Sequence, residues 1–145
     1  MAGYSAKPLW PKLGLGPDAE VLLIDAPAGW SIPGAPEQLG LTREASGARA
    51  SAPAQDVIAF FQTLAGLRES LPPIAERIFP DGALWTAWPR RAGGHDSDIR
   101  EQDIRTLALP LGLVDVKVAA LDEDWSGLRL VWRAERRRDT RAARR

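Results

Sequence analysis

Short apolar runs alternate with turn-rich segments along this chain. Residues 21–24, 56–62 and 83–88 form three such runs, and the first two start at or just after acidic residues. Continuous runs of this length are typical of strands that are buried on both faces, as in a parallel sheet. We therefore predict three central strands, the last of which is introduced by a tight turn at residues 80–82.

Apolar residues at helical spacing mark two helices: Leu67, Leu71, Ile74, Ala75 and Ile78 in the first, and Ile104, Leu107, Ala108 and Leu111 in the second. Pro72 and Pro73 fall inside the first pattern, so we expect a kink or a new helix start there. For the second helix, Ser97 or Asp98 is expected to cap the amino end, and Gly112 is expected to end it.

The carboxyl-terminal part of the chain predicts an antiparallel hairpin. Residues 113–121 and 128–133 are strand-like, and residues 122–127 are expected to form the turn between them. The order strand, loop, strand, helix, strand, helix, hairpin predicts a single-domain α/β fold over residues 1–133. We expect a doubly wound, Rossmann-like and mostly parallel sheet, closed by this antiparallel C-terminal hairpin.

Glycine and proline mark the irregular segments. The amino-terminal lead-in is expected to hold at most a short helix ending near Gly14, and to pack on the sheet through Leu9, Trp10, Leu13 and Leu15. Residues 27–53 read as an irregular loop region with one short strand near residues 41–44. Residues 134–145 are rich in arginine and poor in apolar residues, which predicts a disordered tail or a frayed helix.

Composition narrows the classes of partner. The chain has 145 residues, with 19 basic and 19 acidic side chains, so no net field draws a nucleic acid or a membrane. Nucleic acid is expected only through the tail, where seven arginines fall between Arg133 and Arg145. The tail could equally contact an acidic protein. The absence of cysteine excludes disulfides and thiolate chemistry and favours a cytoplasmic setting; no apolar run reaches the length of a membrane span.

Three groups of motifs resemble a known bacterial family. They are GYS, PL and KLGL within residues 3–15, DGALW and AWPRR within residues 81–91, and GLVDVKV and WSGL within residues 112–128. Together they resemble the DUF3052 family, whose function is unknown, over nearly the whole chain. The resemblance implies a fold similar to the second half of a class I methyltransferase, and it implies no activity. One departure is Arg100 ahead of Glu101, where the family tends to place a threonine cap.

A methyltransferase of that class would hold S-adenosylmethionine with a glycine-rich turn after the first strand and an acidic residue after the second. Residues 25–30 contain a single glycine and a proline, so the glycine-rich turn is missing. Glu44 is the candidate for the acidic residue. We therefore expect no cofactor, and keep a divergent S-adenosylmethionine-dependent methyltransferase as the alternative.

The candidate binding site follows the third central strand. Arg90 and Arg91 come directly after it, where open α/β sheets collect ligands, and two guanidiniums beside glycines could hold a phosphate or a carboxylate. Trp88 and Trp125 are candidates for the walls of this site. The competing interpretation is that both tryptophans are core residues and that the arginines pair with acidic residues at positions 96, 98 or 124.

Other chemistry is not indicated. His95 is the sole histidine, and a metal site or a nucleophilic triad needs partners that the sequence does not space around it. Asp122, Glu123 and Asp124 lack the interleaved spacing of a calcium loop. We predict no catalytic and no metal-binding residues. The sequence favours a non-catalytic binding or regulatory module whose partner is a small anion or an acidic protein at the sheet edge.

Overall fold

The computed structural model describes residues 9–46 and 52–137, and these form an α/β fold around one mixed sheet. The strands of the described residues are β1 Glu20–Ile24, β2 Gly40–Glu44, β3 Asp56–Phe60, β4 Ala83–Pro89, β5 Leu113–Ala120 and β6 Trp125–Trp132. The helices are α1 Leu64–Arg77 and α2 Glu101–Ala108, with short 3-10 segments at Trp10–Leu13, Arg91–Gly93 and Leu109–Leu111. Residues 134–137 form one further helical turn. The predicted α/β class is confirmed, and none of the helices described is both long and apolar enough to cross a membrane.

The sheet has the order β2-β1-β3-β4-β6-β5. The first four of these strands are parallel to one another, whereas β6 runs antiparallel to both β4 and β5. The predicted antiparallel hairpin therefore forms, and the sheet as a whole is mixed. Because β6 lies between β4 and β5, the edge strands are β2 and β5.

Two apolar clusters cover the two faces of the sheet with different kinds of structure. Both helices pack on one face, where Leu67, Leu71 and Ile104 belong to the buried cluster. The other face is covered by the amino-terminal segment and by the loop between β1 and β2, through residues such as Leu13 and Trp30. A doubly wound sheet has helices on both faces, so the doubly wound part of the expectation is wrong for the described residues: irregular chain covers the second face.

The amino-terminal segment packs on the sheet as predicted. Leu13 and Leu15 are buried, Leu9 and Trp10 are partly buried, and the indole Nε1 of Trp85 donates a hydrogen bond to the Leu13 carbonyl at 3.0 Å. The 3-10 turn ends where Gly14 adopts a left-handed φ of 82°, a conformation that glycine accepts without steric cost.

Helix α1 is continuous through Pro72 and Pro73, so no new helix begins there. A proline leaves the carbonyl four residues earlier without its donor, and these carbonyls belong to Arg68 and Glu69. Both residues are exposed, so solvent can replace the lost hydrogen bonds. The prolines are tolerated because the two carbonyls that lose their donors belong to exposed residues.

Charged pairs tie each helix to an edge strand. Arg77 at the end of α1 binds both carboxylate oxygens of Glu44 in β2, at 2.6 and 3.1 Å, and these hydrogen bonds lower the pKa of Glu44. Arg105 in α2 donates to Asp115 in β5 at 2.9 Å and lowers the pKa of that carboxyl. The helical layer is thus fastened at both edges of the sheet.

The hairpin turn is shorter than predicted. Strand β6 begins at Trp125, so residues 125–127 belong to the strand and only residues 121–124 make the turn. Gly127 pairs with Ala87 in β4, and a Cβ on Gly127 would lie 2.9 Å from the Trp85 ring. Gly127, which was expected in the turn, lies instead in a strand, where the packing of Trp85 leaves no room for a side chain. The prediction for the carboxyl-terminal tail can be compared with the structure only at residues 134–137, which are helical. Residues 138–145 lie outside the described residues.

Candidate functional site at the carboxyl edge

The carboxyl ends of β3 and β4 open into a polar cleft, hereafter the carboxyl-edge cleft. Its volume is about 420 Å³. It is lined by Gln62, Thr63, Arg91, Asp96, Ser97 and Asp98. Gln62 and Thr63 follow β3 directly, and the other four residues belong to the loop after β4. The position is the one at which open α/β sheets bind ligands.

Thr63 starts helix α1 at the floor of the cleft. Its backbone is extended, and its Oγ1 accepts a hydrogen bond from the Gly66 backbone N–H at 3.0 Å. A second side chain completes the cap, because Asp98 Oδ1 accepts from the Leu64 backbone N–H at 2.7 Å. The amino end of a helix carries a partial positive charge, and here that end faces the loop that holds Arg91.

Asp98 and Ser97 do not cap α2, and that prediction is wrong. Helix α2 begins at Glu101 after Arg100, and Asp103 caps it by accepting from the Arg100 backbone N–H at 2.8 Å. Ser97 instead accepts from the Ile99 backbone N–H at 3.1 Å within the loop. Asp98 points backward along the chain to α1, so it joins the loop after β4 to the helix after β3.

Arg90 and Arg91 have different environments although they are adjacent. The Arg90 guanidinium donates through Nη1 to the backbone carbonyls of Asp122 and Glu123, both at 3.2 Å, and its backbone N–H donates to the Asp124 carbonyl at 2.8 Å. Arg91 is exposed and lines the cleft, and its side chain has no hydrogen bond or ion pair within residues 9–46 and 52–137. The predicted pair of guanidiniums is therefore divided: Arg90 holds the hairpin turn, and Arg91 is free to meet a ligand.

The loop after β4 is fastened to the hairpin turn at a second point. His95 Nε2 lies 2.8 Å from Asp124 Oδ1, with both side chains about half exposed. Gly93 lies so close to the Glu123 carbonyl that a Cβ would collide with it. His95 thus has a structural partner, and the competing interpretation of Arg90 pairing with acidic side chains is replaced by pairing with backbone carbonyls.

Trp88 and Trp125 lie on opposite faces of the sheet. Trp88 belongs to the cluster beneath the helices, whereas Trp125 belongs to the cluster on the other face. Both are at most 8% exposed. They are core residues, and the structure does not bring them together as walls of the carboxyl-edge cleft.

Trp125 is instead one end of a row of three aromatic rings. Trp30 meets Phe60 edge to face at a centroid distance of 4.9 Å, and Phe60 meets Trp125 in the same way at 4.9 Å. Trp30 Nε1 donates to Asp122 Oδ2 at 2.8 Å, while Asp122 Oδ1 accepts from the backbone N–H groups of Asp124 and Trp125. Sequence reasoning missed this role of Asp122, which an aspartate two residues before the turn's end could have suggested.

The residues that would bind S-adenosylmethionine do not fit that group. Glu44, the candidate ribose acceptor, has both carboxylate oxygens occupied by Arg77. Asp25, directly after β1, accepts from the Ser46 backbone N–H at 2.9 Å, and the following loop returns to cover the sheet face through Trp30. Within the described ranges, no three acidic or histidine side chains are arranged to hold a metal ion.

No known protein matches this chain, so none offers a site to compare with the carboxyl-edge cleft. No family model, no curated protein and no solved structure matches the chain.

Proposed function

We propose that this protein is a small, non-catalytic binding or regulatory module that recognises an anionic group, a phosphate or a carboxylate, in the carboxyl-edge cleft. The observation that carries the proposal is the state of Arg91, whose guanidinium lies at the cleft without a partner among the described residues. The adjacent Arg90 instead donates through Nη1 to two backbone carbonyls of the hairpin turn. An exposed guanidinium of this kind suits the geometry of phosphate and carboxylate oxygens.

The position of Arg91 is fixed by contacts on both sides of its loop. The loop that bears it is held on one side by the Asp98 contact with α1 and on the other by the His95 contact with Asp124. A loop fastened at both ends loses little conformational entropy on binding.

The carboxylates of Asp96 and Asp98 also line the cleft, and they narrow the class of ligand that would fit it. Asp98 is engaged by the Leu64 N–H, whereas Asp96 is exposed and has no hydrogen bond within the described ranges. An acceptor beside a guanidinium selects a ligand whose anionic group stands near an ammonium or hydroxyl group. Phosphorylethanolamine has this pattern and serves as a probe.

We further propose that the fold is a Rossmann-like, methyltransferase-like half-fold and that the chain is a member of the DUF3052 family. The strand order β3-β4-β6-β5 with a reversed final hairpin supports the fold proposal. Two of the three motif groups that carry the family resemblance fall in or beside β4, β5, β6 and the loop after β4. The third group belongs to the amino-terminal segment, where the structure describes the chain from residue 9 onward. The methyltransferase alternative gains no support from Glu44, because Arg77 already occupies its carboxylate.

A nuclear magnetic resonance titration tests the proposed site. Phosphorylethanolamine added to the ¹⁵N-labelled full chain is expected to shift backbone signals of residues 62–66 and 90–98, and the Arg91→Ala variant is expected to lose those shifts. Arg68→Ala, which removes another exposed arginine from α1, is the matched control and should bind like the unmodified protein. Shifts spread evenly over all exposed arginines, or retained in Arg91→Ala, would refute the proposal.

A further inference from the structure

The loop that carries Arg91 rests on the hairpin turn at residues 121–124. Immediately before Arg91, the Arg90 guanidinium donates to the carbonyls of residues 122 and 123, both at 3.2 Å. The Arg90 backbone N–H donates to the carbonyl of residue 124 at 2.8 Å. Further along the loop, His95 Nε2 lies 2.8 Å from Asp124 Oδ1. Contacts to one and the same turn therefore flank Arg91 on both sides.

The backbone of Arg91 has a defined conformation. Arg91 begins a 3-10 segment that ends at Gly93, and the Gly94 N–H donates to the Arg91 carbonyl at 2.9 Å. The Gly93 N–H donates to the Arg90 carbonyl at 3.2 Å. The Arg91 side chain, in contrast, has no hydrogen bond or ion pair among the described residues. Its place in the carboxyl-edge cleft is therefore set by the backbone, and the backbone is held by the turn.

Asp122 holds this turn through both of its carboxylate oxygens. Oδ1 accepts from the backbone N–H groups of Asp124 and Trp125 at 2.7 and 2.8 Å, which fixes the shape of the turn. Oδ2 accepts from the indole Nε1 of Trp30 at 2.8 Å, across 92 positions of the chain. Trp30 is buried, and Arg43 of β2 donates to its backbone carbonyl. Asp122 thus joins the loop between β1 and β2 to the turn on which the loop after β4 rests.

The contact between Asp122 and Trp30 is suited to hold the turn firmly. A hydrogen bond to an ionised carboxylate is stronger than one between neutral groups. This one is partly buried, so water competes less for the carboxylate than it does at an exposed site. The Trp30 ring is also fixed by its edge-to-face contact with Phe60 at 4.9 Å.

We propose that Asp122 is a positioning residue of the anion site, and that its contact with Trp30 couples anion binding to the loop between β1 and β2. The inference rests on the proposed function and extends it to two residues that do not line the cleft. A turn held by Trp30 keeps Arg91 in its binding position, which reduces the conformational entropy lost on binding. Because coupling is reciprocal, a bound anion stabilises the contact between Asp122 and Trp30.

Two substitutions remove this contact in different ways. Trp30→Phe removes the donor, keeps an aromatic ring and leaves Asp122 to cap the turn. Asp122→Asn keeps an oxygen for the backbone N–H groups but places an amide nitrogen, which cannot accept, opposite the indole. Each substitution in the full chain is expected to weaken phosphorylethanolamine binding about fivefold, as measured by calorimetry. Each is also expected to shift the backbone amide signals of residues 90–95 in the ligand-free protein.

Glu44→Gln separates positioning from general stability. Glu44 pairs with Arg77 between β2 and α1, so its loss destabilises the fold at a place that does not contact the turn. Urea denaturation measures the stability of all three variants. Glu44→Gln is expected to bind phosphorylethanolamine like the unmodified protein. An affinity that falls in proportion to stability in all three variants would overturn the positioning role of Asp122.

Solvent exchange of the Trp30 indole N–H supplies a second readout, which a merely structural contact would not change. Saturating phosphorylethanolamine is expected to slow this exchange about fivefold in the unmodified protein and to leave it unchanged in Arg91→Ala. Binding without any change in this exchange would overturn the coupling and leave the anion site in place. Absence of binding by the unmodified protein would overturn both the anion site and the coupling.

Discussion

The carboxylate of Asp98 accepts a hydrogen bond from the backbone N–H of Leu64 at 2.7 Å, across 34 positions of the chain. This contact joins the loop after β4 to the first turn of α1. It also fixes one side of the carboxyl-edge cleft, because Asp98 lines that cleft and Leu64 directly follows Thr63, another lining residue. A helix cap supplied from a distant loop therefore couples the stability of α1 to the geometry of the candidate site.

Removing this cap should destabilise the fold. Asp98→Ala leaves the Leu64 N–H without its acceptor, and loss of a capping side chain costs about 1 kcal/mol. Urea denaturation measures the change in the free energy of unfolding. Asp96→Ala is the control, because Asp96 lies in the same loop and makes no hydrogen bond within the described residues. Equal stability of the two variants would show that the Asp98 contact contributes nothing.

The pairing of Glu44 with Arg77 should make stability depend on pH. The pKa of Glu44 is lowered in the folded protein by the hydrogen bonds from Arg77. A lowered carboxyl pKa stabilises the folded state above the unfolded pKa, and this contribution is lost as the pH falls through the folded pKa. Glu44→Gln should therefore cost about 1–2 kcal/mol at neutral pH and progressively less in acid.

Denaturation of Glu44→Gln between neutral and acidic pH measures this dependence. Glu37→Gln removes an exposed carboxylate without a hydrogen bond in the described ranges, and it should match the unmodified protein at every pH. A constant difference between Glu44→Gln and the unmodified protein across that range would argue against the charged pair as the cause.

Ionisation of Asp56 should change the stability of the fold in the opposite direction from ionisation of Glu44. Burial raises the pKa of its carboxyl, although the charge of Arg129 opposes that rise. A raised carboxyl pKa means that the ionised form is disfavoured in the folded state, so stability is lost as the pH rises through the folded pKa. Asp56→Asn is expected to raise the melting temperature at neutral pH and to have no effect in strong acid. A lower melting temperature at neutral pH would show that the attraction to Arg129 outweighs the burial.

Gly127 should not tolerate a side chain. A Cβ at this position would lie 2.9 Å from the Trp85 ring and 3.1 Å from Leu121, so Gly127→Ala forces a packed core to shift, at a cost of about 1–3 kcal/mol. Gly16→Ala is the control, because its nearest neighbour would be 3.8 Å away. Thermal unfolding compares the two variants, and similar melting temperatures would mean that Trp85 can move aside.

The strands and helices were predictable because burial imposes a pattern on contiguous residues. The apolar runs at residues 21–24 and 83–88 coincide with β1 and β4 to within one residue at each end. Gly127 was misassigned to a turn, because the demand for a glycine comes from Trp85 on a neighbouring strand. Local sequence carries no record of such a contact.

The candidate site was predictable in position but not in its internal arrangement. That ligands gather after β4 follows from the topology of parallel strands, and Arg91 does lie in a cleft there. The sequence did not show that Arg90 donates to the carbonyls of Asp122 and Glu123, because this contact depends on how the hairpin turn packs against the loop after β4. The same dependence explains Asp98, whose partner in α1 is set by the return of the loop over the helix.

Isothermal titration calorimetry with phosphorylethanolamine tests the central claim, that Arg91 is the anion-binding residue of the carboxyl-edge cleft. Arg91→Ala is expected to lower the affinity at least tenfold, whereas Arg68→Ala retains it. S-adenosylmethionine is expected to give no heat with the unmodified protein. Equal affinity of the Arg91→Ala and Arg68→Ala variants, or saturable heat with S-adenosylmethionine, would contradict it.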